Sequence, residues 1–533
     1  MKQYVYNMFF RAVSLLLTGL FLTMGPAGAW GAGEADNTYI INGKISDTAT
    51  HKSGDDFKLF QNLKNGYIRY YDYPQGYVLD YGAELSPDFS AYPVKTVMSN
   101  NDTCLEVFYD NFTGTVHSAT SYIKCSRDFL SKGSVHQVDL DQNLTINGCQ
   151  VKLLLWHRAR LSSLAQDKNY YLQAIVVKSP LEVLTLLVKS SQPIALDHWL
   201  PMLSSVNFIP PQGAKSFNLY YSRQVRPLSA ETEALFQRYF ADESPQAWGI
   251  YEPTADTGLS YVNSLENRLN YKFPCLLWYQ SLGSEFPRAL ADNAYSQGKF
   301  LELTLATWDL RQPNNTAITY DVLNGAYDAY LIDYARKIKA FGHPLLFRLN
   351  NEMNGDWCYW SAYYSATDTE LFRAMWRHIY DIFQEQGVDN AIWVWNPNEV
   401  SFPSFKWNSY VNYFPGDQYV DVIGLTGYNT GNYFPGERWR DFRSIYAPLY
   451  SEYNHVFDYP FMITEFACSS IGGDKVAWLN DMFTYISSYK KIKLAIWFNG
   501  IDFDAQRRPA RIYRLDQNDA ILDQFAQGLK GAK

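Results

Sequence analysis

Two glutamates in this chain stand where an apolar run passes straight into polar residues. Phe347-Arg348-Leu349-Asn350-Asn351-Glu352-Met353-Asn354-Gly355-Asp356-Trp357 carries the first, and Met462-Ile463-Thr464-Glu465-Phe466 the second. Two facing carboxylates can work as a pair: one gives a proton to a leaving oxygen while the other attacks the carbon it leaves. That chemistry breaks the acetal link between sugars with retention, and it needs the carboxyl groups about 5–5.5 Å apart. Glu352 and Glu465 are far apart in sequence, so a fold must bring them together. Other chemistries have little support. The eight His are scattered, with no His-x-x-x-His pair and no Cys-x-x-Cys, so neither a metal site nor a cofactor is expected.

The elements that would position the two acids begin near residue 248. From there the chain alternates short apolar runs with helical stretches. The runs lie at 248–251, 276–279, 300–306, 344–348, 391–395, 420–425, 461–464 and 494–498. They are almost continuously apolar, as parallel strands covered on both faces should be. The clearest helix is predicted over 367–386. Thr367 and Glu370 fit a capping box, Leu371, Met375, Ile379, Ile382 and Phe383 form one apolar face, and Gly387 is the stop. A second helix is predicted over 326–340, ending at Gly342. Eight strands in a segment of this length match an α/β (β/α)8 barrel over 245–528, although spacing alone also allows an open doubly wound sheet. A barrel puts its chemistry at the C-terminal ends of its strands. Glu352 follows the fourth run and Glu465 lies at the end of the seventh.

The region 36–240 reads differently. Runs such as 104–109 and 181–187 are short and β-rich, and turn signals such as Asn147-Gly148 and Asn65-Gly66 lie between runs of this kind. We expect a β-sandwich accessory domain, with a structural role and carbohydrate binding both open. Pro210-Pro211-Gln212-Gly213 marks a break, and a helix is predicted over 231–239. At the start, Lys2 and Arg11 precede an apolar run over 12–24, which is followed by Ala27-Gly28-Ala29. This pattern predicts a signal peptide over 1–29 and a secreted, periplasmic or cell-surface protein, with an uncleaved anchor as the alternative. The run is short of the ~20 residues a membrane span needs. A net charge of −8 disfavours a nucleic-acid partner. Aromatics make up 17% of the chain, which suits both packed cores and faces on which sugar rings stack. The six Cys are too few for a disulfide scaffold, and their pairing cannot be read from sequence.

Four ordered motifs resemble glycoside hydrolase family 26. They are the His343-to-Trp357 stretch, Ile392-Trp393-Val394-Trp395-Asn396-Pro397-Asn398, Asp421-Val422-Ile423-Gly424-Leu425-Thr426-Gly427-Tyr428-Asn429, and Ile463-Thr464-Glu465-Phe466. The resemblance does not cover the first 240 residues. It implies a retaining, endo-acting β-glycosidase, β-1,4-mannan being the substrate the family suggests. Glu352 would be the acid/base and Glu465 the nucleophile. Tyr428 would contact the nucleophile, and Arg348 would be a cation beside the carboxylates. Trp497 would form an aromatic floor beneath the reacting sugar, and Trp357 and Trp360 would line neighbouring subsites. Asn351 departs from the pattern. The family's mannan-degrading members usually carry His there, whereas Asn belongs to the wider clan, where it bonds the sugar 2-hydroxyl. Action on another β-glucan, β-xylan or exported exopolysaccharide, by hydrolysis or transglycosylation, stays open, as does a barrel that only binds carbohydrate.

Overall fold

The computed structural model describes residues 37–46, 48–131 and 135–531; the leader expected at 1–29 lies outside them. Eight parallel strands close into a barrel. In chain order they are β1 (Ala247–Tyr251), β2 (Cys275–Leu282), β3 (Phe300–Asp309), β4 (Leu345–Leu349), β5 (Ala391–Trp395), β6 (Val422–Thr426), β7 (Phe461–Phe466) and β8 (Ile492–Phe498). Closure comes from β1 pairing with β8 in the register Ala247↔Leu494 to Tyr251↔Phe498. The open-sheet alternative is thereby removed.

Strand alternation divides the barrel side chains into two sets. Cys275, Leu277, Leu346, Ile392, Val394, Val422, Met462, Leu494 and Ile496 pack together inside the barrel. Phe236 and Phe240 of the helix Ala230–Phe240 join this inner cluster and plug one end. The alternate residues, such as Leu301, Phe347, Trp393, Ile463 and Trp497, face the surrounding helices. With one end sealed, polar chemistry is confined to the other, where the strands end.

The helix after β4 runs over Thr369–Glu385, and Leu371, Met375, Ile379, Ile382 and Phe383 are all buried. Its cap differs from the expected one. Asp368, not Thr367, accepts the first-turn amide of Glu370, while Thr367 itself has φ +60°. The helix Asp328–Phe341 ends at Gly342, whose φ of +76° closes the turn.

The region before residue 210 is built mainly from two antiparallel sheets, of six and seven strands. Phe60, Tyr70 and Leu79 of one meet Leu105, Val107, Leu153, Leu172 and Leu186 of the other in a shared core. Asn147 and Gly148, both at positive φ, turn Gln137–Ile146 back on Cys149–His157. The far face of the seven-stranded sheet is also covered. Phe108, Leu154, Trp156, Tyr171, Ile175, Val183 and Leu187 belong to the same apolar cluster as the barrel's outer layer. This double burial explains why the strand Glu182–Ser190 shows no polar face.

The contact with the barrel falls on the segments after β3, β4 and β5, the first through the Ser163 amide, which donates to Leu323 O at 3.1 Å. Lys189 bonds Asp368 at 2.9 Å and contacts Glu106 at 3.1 Å. Tyr171 also donates to Asp368, at 3.0 Å. Asp110 accepts the Lys406 amide at 2.8 Å, and Phe405 packs on Tyr122 with ring centroids 4.7 Å apart. Burying such charges is tolerable only because each has a partner, and removing one partner would strand the other. All six Cys are free thiols, and Cys275, Cys358 and Cys468 are buried. Among the described residues no helix is long and apolar enough to cross a membrane.

Candidate active site

Glu465 and Glu352 both open toward the barrel mouth, from β7 and from the loop after β4. The ladder around Glu465 is irregular. Register shifts fall between Leu425 and Thr426 against β6, and between Ile463 and Phe466 against β8. Such bulges re-aim side chains, and they recur beside active sites. Here Thr464 turns toward β6, with its hydroxyl 3.0 Å from that of Thr426. Gly424 makes this possible: a Cβ there would lie 2.6 Å from the Thr464 methyl and 2.8 Å from Asn396 Cβ.

Arg348 organises the floor of the site. It is fully buried on β4. Its Nε donates to Thr304 Oγ1 at 2.7 Å, its Nη1 to Asn396 Oδ1 at 2.8 Å, and its Nη2 to Glu465 Oε2 at 3.0 Å. The Tyr279 hydroxyl, from β2, donates to the same Glu465 oxygen. Burial pushes the Glu465 carboxyl up, to about 8, and the charge of Asp502 adds to this. The Arg348 and Tyr279 donors both favour the anion, so the site opposes desolvation with directed hydrogen bonds.

Glu352 sits on a strained turn. Asn350 has φ +57° and Glu352 φ +50°, a region non-glycine residues rarely occupy. Both are held by neighbours. Asn350 accepts at Oδ1 from the Thr307 amide and hydroxyl, at 2.7 and 3.0 Å. The Glu352 amide donates to Asn396 O at 2.8 Å. Strain that the surroundings enforce is common at functional sites. The carboxylate accepts Trp357 Nε1 at 3.1 Å. Burial raises the Glu352 carboxyl above the ordinary range, Glu399 and Asp502 push the same way, and Trp357 and Arg348 oppose them.

The aromatic expectations divide. Trp357 is 49% exposed beside Glu352, with its ring 5.3 Å from that of Phe402. Trp360 is buried, and its indole N–H bonds the Asn351 carbonyl at 2.8 Å. It therefore braces the loop and offers no open face to a sugar. Trp497 is a correction of the same kind. It is fully buried on the outward side of β8, among Phe466, Trp478 and Phe525. A strand flips its side chains at each residue, so Phe498 faces the mouth instead. Phe498 stacks on Tyr251 at 4.5 Å and meets Tyr428 edge-on at 5.9 Å. Tyr428 packs against Phe498 and Tyr513, and its carbonyl accepts Arg440 Nη2 at 2.7 Å. The phenol bonded to Glu465 belongs to Tyr279. Asn351 is half-buried beside Glu352.

Tyr279, Glu302, Asn396 and Phe498 were missed in the sequence. A signal for two of them was present. Glu302 and Thr304 are polar residues at alternate positions of an apolar run, and Tyr279 follows Cys275 and Leu277 at the same spacing, so each belongs to the inward set. Among the described residues no group of three or more His, Cys, Asp or Glu is placed to hold a metal ion.

Parts of this chain are similar to known proteins. The model of glycosyl hydrolase family 26 matches residues 296–471, which hold both glutamates. Endoglucanase H of Acetivibrio thermocellus is 32% identical over 257 residues, which are 48% of this chain and 27% of that protein. Mannan endo-1,4-beta-mannosidase of Bacillus subtilis is 34% identical over 108 residues, 19% of this chain and 28% of that one. The chain thus spans little more than a quarter of the length of these curated relatives. Among solved structures, the catalytic domain of the endo-beta-1,4-mannanase of Bacillus sp. JAMB-750 aligns with a TM-score of 0.45 at 17% identity, covering 58% of this chain and 93% of that one. The beta-mannanase of Bacteroides ovatus aligns with a TM-score of 0.43 at 18% identity, covering 57% and 94%. The barrel segment 296–471, with Glu352 and Glu465 at its strand ends, is thus the part of the chain that matches the model of glycosyl hydrolase family 26.

Proposed function

We propose that this protein is an exported, retaining, endo-acting glycoside hydrolase that cleaves a β-1,4-linked polysaccharide, β-mannan first. The observation that carries the proposal is the grip on Glu465. A carboxylate held by the Arg348 guanidinium and the Tyr279 hydroxyl is oriented for attack, and a second carboxyl, on Glu352, is pushed toward its protonated form at the same mouth. Glu352 gives its proton to the leaving oxygen as Glu465 bonds the anomeric carbon. Glu352, now a carboxylate, then deprotonates the water that releases the sugar. The exposed Trp357 lies beside the proton donor, where the leaving portion of the chain departs.

A β-glucan is the second reading. Asn351 stands where mannan-degrading members usually carry His, and the match to an endoglucanase extends over 257 residues. Mannose carries an axial 2-hydroxyl and glucose an equatorial one, and the residue before the acid/base is the one that meets it. The test is product release from β-mannan, β-glucan and β-xylan, with Glu465→Ala beside the wild type. Oligosaccharides from β-mannan, absent in the variant, are expected. Products from β-glucan alone would establish the second reading, and none from any polymer would remove the enzymatic one. Adding an acceptor sugar distinguishes transfer from hydrolysis in the same assay.

A further inference from the structure

Arg348 carries two carboxylates. Besides Glu465, Glu302 of β3 approaches its Nε at 2.8 Å. Glu302 is fully buried, yet it differs from every other charged group at the site. The Nε hydrogen is directed at Thr304, so neither Glu302 oxygen receives a directed hydrogen bond. A buried carboxyl in that state is costly, and an apolar residue of similar size would fill the same space at less cost. Its placement has one evident electrostatic consequence: a single positive charge lies between two acids.

We propose that Glu302 is a positioning residue of the site, one that shares the Arg348 charge with Glu465 and so sets how strongly Glu465 is held as an anion. This rests on the reading of Glu465 as nucleophile and deepens it. A nucleophile gripped by an undivided guanidinium would ionise easily but attack weakly, because bond formation must withdraw its charge from a strong partner. With Glu302 drawing on the same cation, Glu465 keeps more of its basicity. Burial pushes the Glu302 carboxyl up, to about 7, and the Arg348 cation opposes this; because both carboxylates contact that one cation, the charge state of one bears on the other. The groups facing them are few. Glu302 meets Arg348 from β4 and the Cys275 thiol from β2. Glu465 meets Arg348, Tyr279 and the charge of Asp502 in the strand Ile501–Phe503. Arg348 further feels Glu352 and Tyr428.

The test uses Glu302→Gln, an uncharged near-isostere, with Glu302→Met as a second neutral variant of similar volume. Two readouts run side by side on the full chain. One is the pH profile of kcat/KM. The other is a carbon-13 NMR titration of glutamate carboxyls, with Glu465 assigned by its loss in Glu465→Gln. An opposite charge in contact moves a carboxyl by about 1–3 units, and half of such a charge is at issue. In either variant the acid-side midpoint and the Glu465 titration should both move down by about one unit, and the maximal kcat of the pH profile, where Glu465 is ionised in both proteins, should fall several-fold. Midpoints unchanged in a folded variant would overturn the proposal and leave Glu302 as packing only. A carboxyl titration that moves in a protein releasing no products would uphold the coupling and refute the hydrolase reading instead.

Discussion

Tyr279→Phe removes the hydroxyl that touches Glu465 and leaves the ring. The ring contacts should survive: Tyr251 lies edge-on at 5.3 Å, and the Arg348 guanidinium lies 5.3 Å from the ring centroid. Stability should therefore change little. A hydrogen bond to a charged group contributes about 1.5–3 kcal/mol. If that bond is made chiefly to the nucleophile anion, the ionised fraction of Glu465, and with it kcat/KM below the acid-side midpoint, should fall by about 10- to 150-fold, since about 1.4 kcal/mol corresponds to a factor of ten. The pH dependence fixes the mechanism. Glu465 must be ionised to attack. Losing a donor to its anion raises its pKa further, so the acid-side midpoint of kcat/KM should move to higher pH. The assay is a pH series of initial rates on a soluble substrate, with melting temperature as the control. A variant with kcat/KM within about twofold of wild type and an unmoved midpoint would refute the role given to Tyr279.

Glu352→Ala should lower turnover of polysaccharide by about 10²–10⁴-fold, the usual worth of a general acid, while aryl glycosides with activated leaving groups retain most of their first-step rate. Equal loss on both substrates would take Glu352 out of the acid role. Trp497→Ala and Phe498→Ala should separate packing from binding. Trp497→Ala should cost about 3–5 kcal/mol of stability with little change in KM, and Phe498→Ala should lower kcat/KM by about tenfold with a smaller loss of stability. The reverse pattern would restore Trp497 to the site. His136 bonds the Tyr320 hydroxyl at 2.7 Å, and burial pushes its pKa down to about 4. The unfolded chain therefore binds a proton between about pH 6.5 and 4 that the folded one refuses. Its contribution is full above about pH 6.5 and is lost as pH falls toward 4, at most about 3 kcal/mol. Urea melts of His136→Gln across that range should show a shallower acid loss than wild type, and parallel curves would refute the assignment.

The barrel was legible because each of its strands is buried on both faces, which writes eight apolar runs into the sequence. The two glutamates were legible because each follows such a run. Register was harder to read. Trp497 and Phe498 are adjacent, both are aromatic, and only the β1–β8 pairing shows which one turns inward. Trp360 resembles Trp357 in sequence, but its indole is spent on the Asn351 carbonyl. Tyr279 and Glu302 lie on β2 and β3, far in sequence from either glutamate, and closure of the barrel gathers them around Arg348. The cap at Asp368 escaped notice because Thr367 and Glu370 fit a capping box by spacing, whereas Lys189 and Tyr171 of a distant sheet hold Asp368 in place.

In the proposed mechanism Glu465 forms a covalent bond to sugar. The direct measurement is mass spectrometry of the protein after reaction with an activated glycoside whose 2-hydroxyl is replaced by fluorine, a change that slows release of the intermediate more than its formation. One added glycosyl unit per chain is expected, located by peptide mapping on Glu465 and absent from Glu465→Gln. No adduct during turnover, or an adduct on another residue, would contradict it.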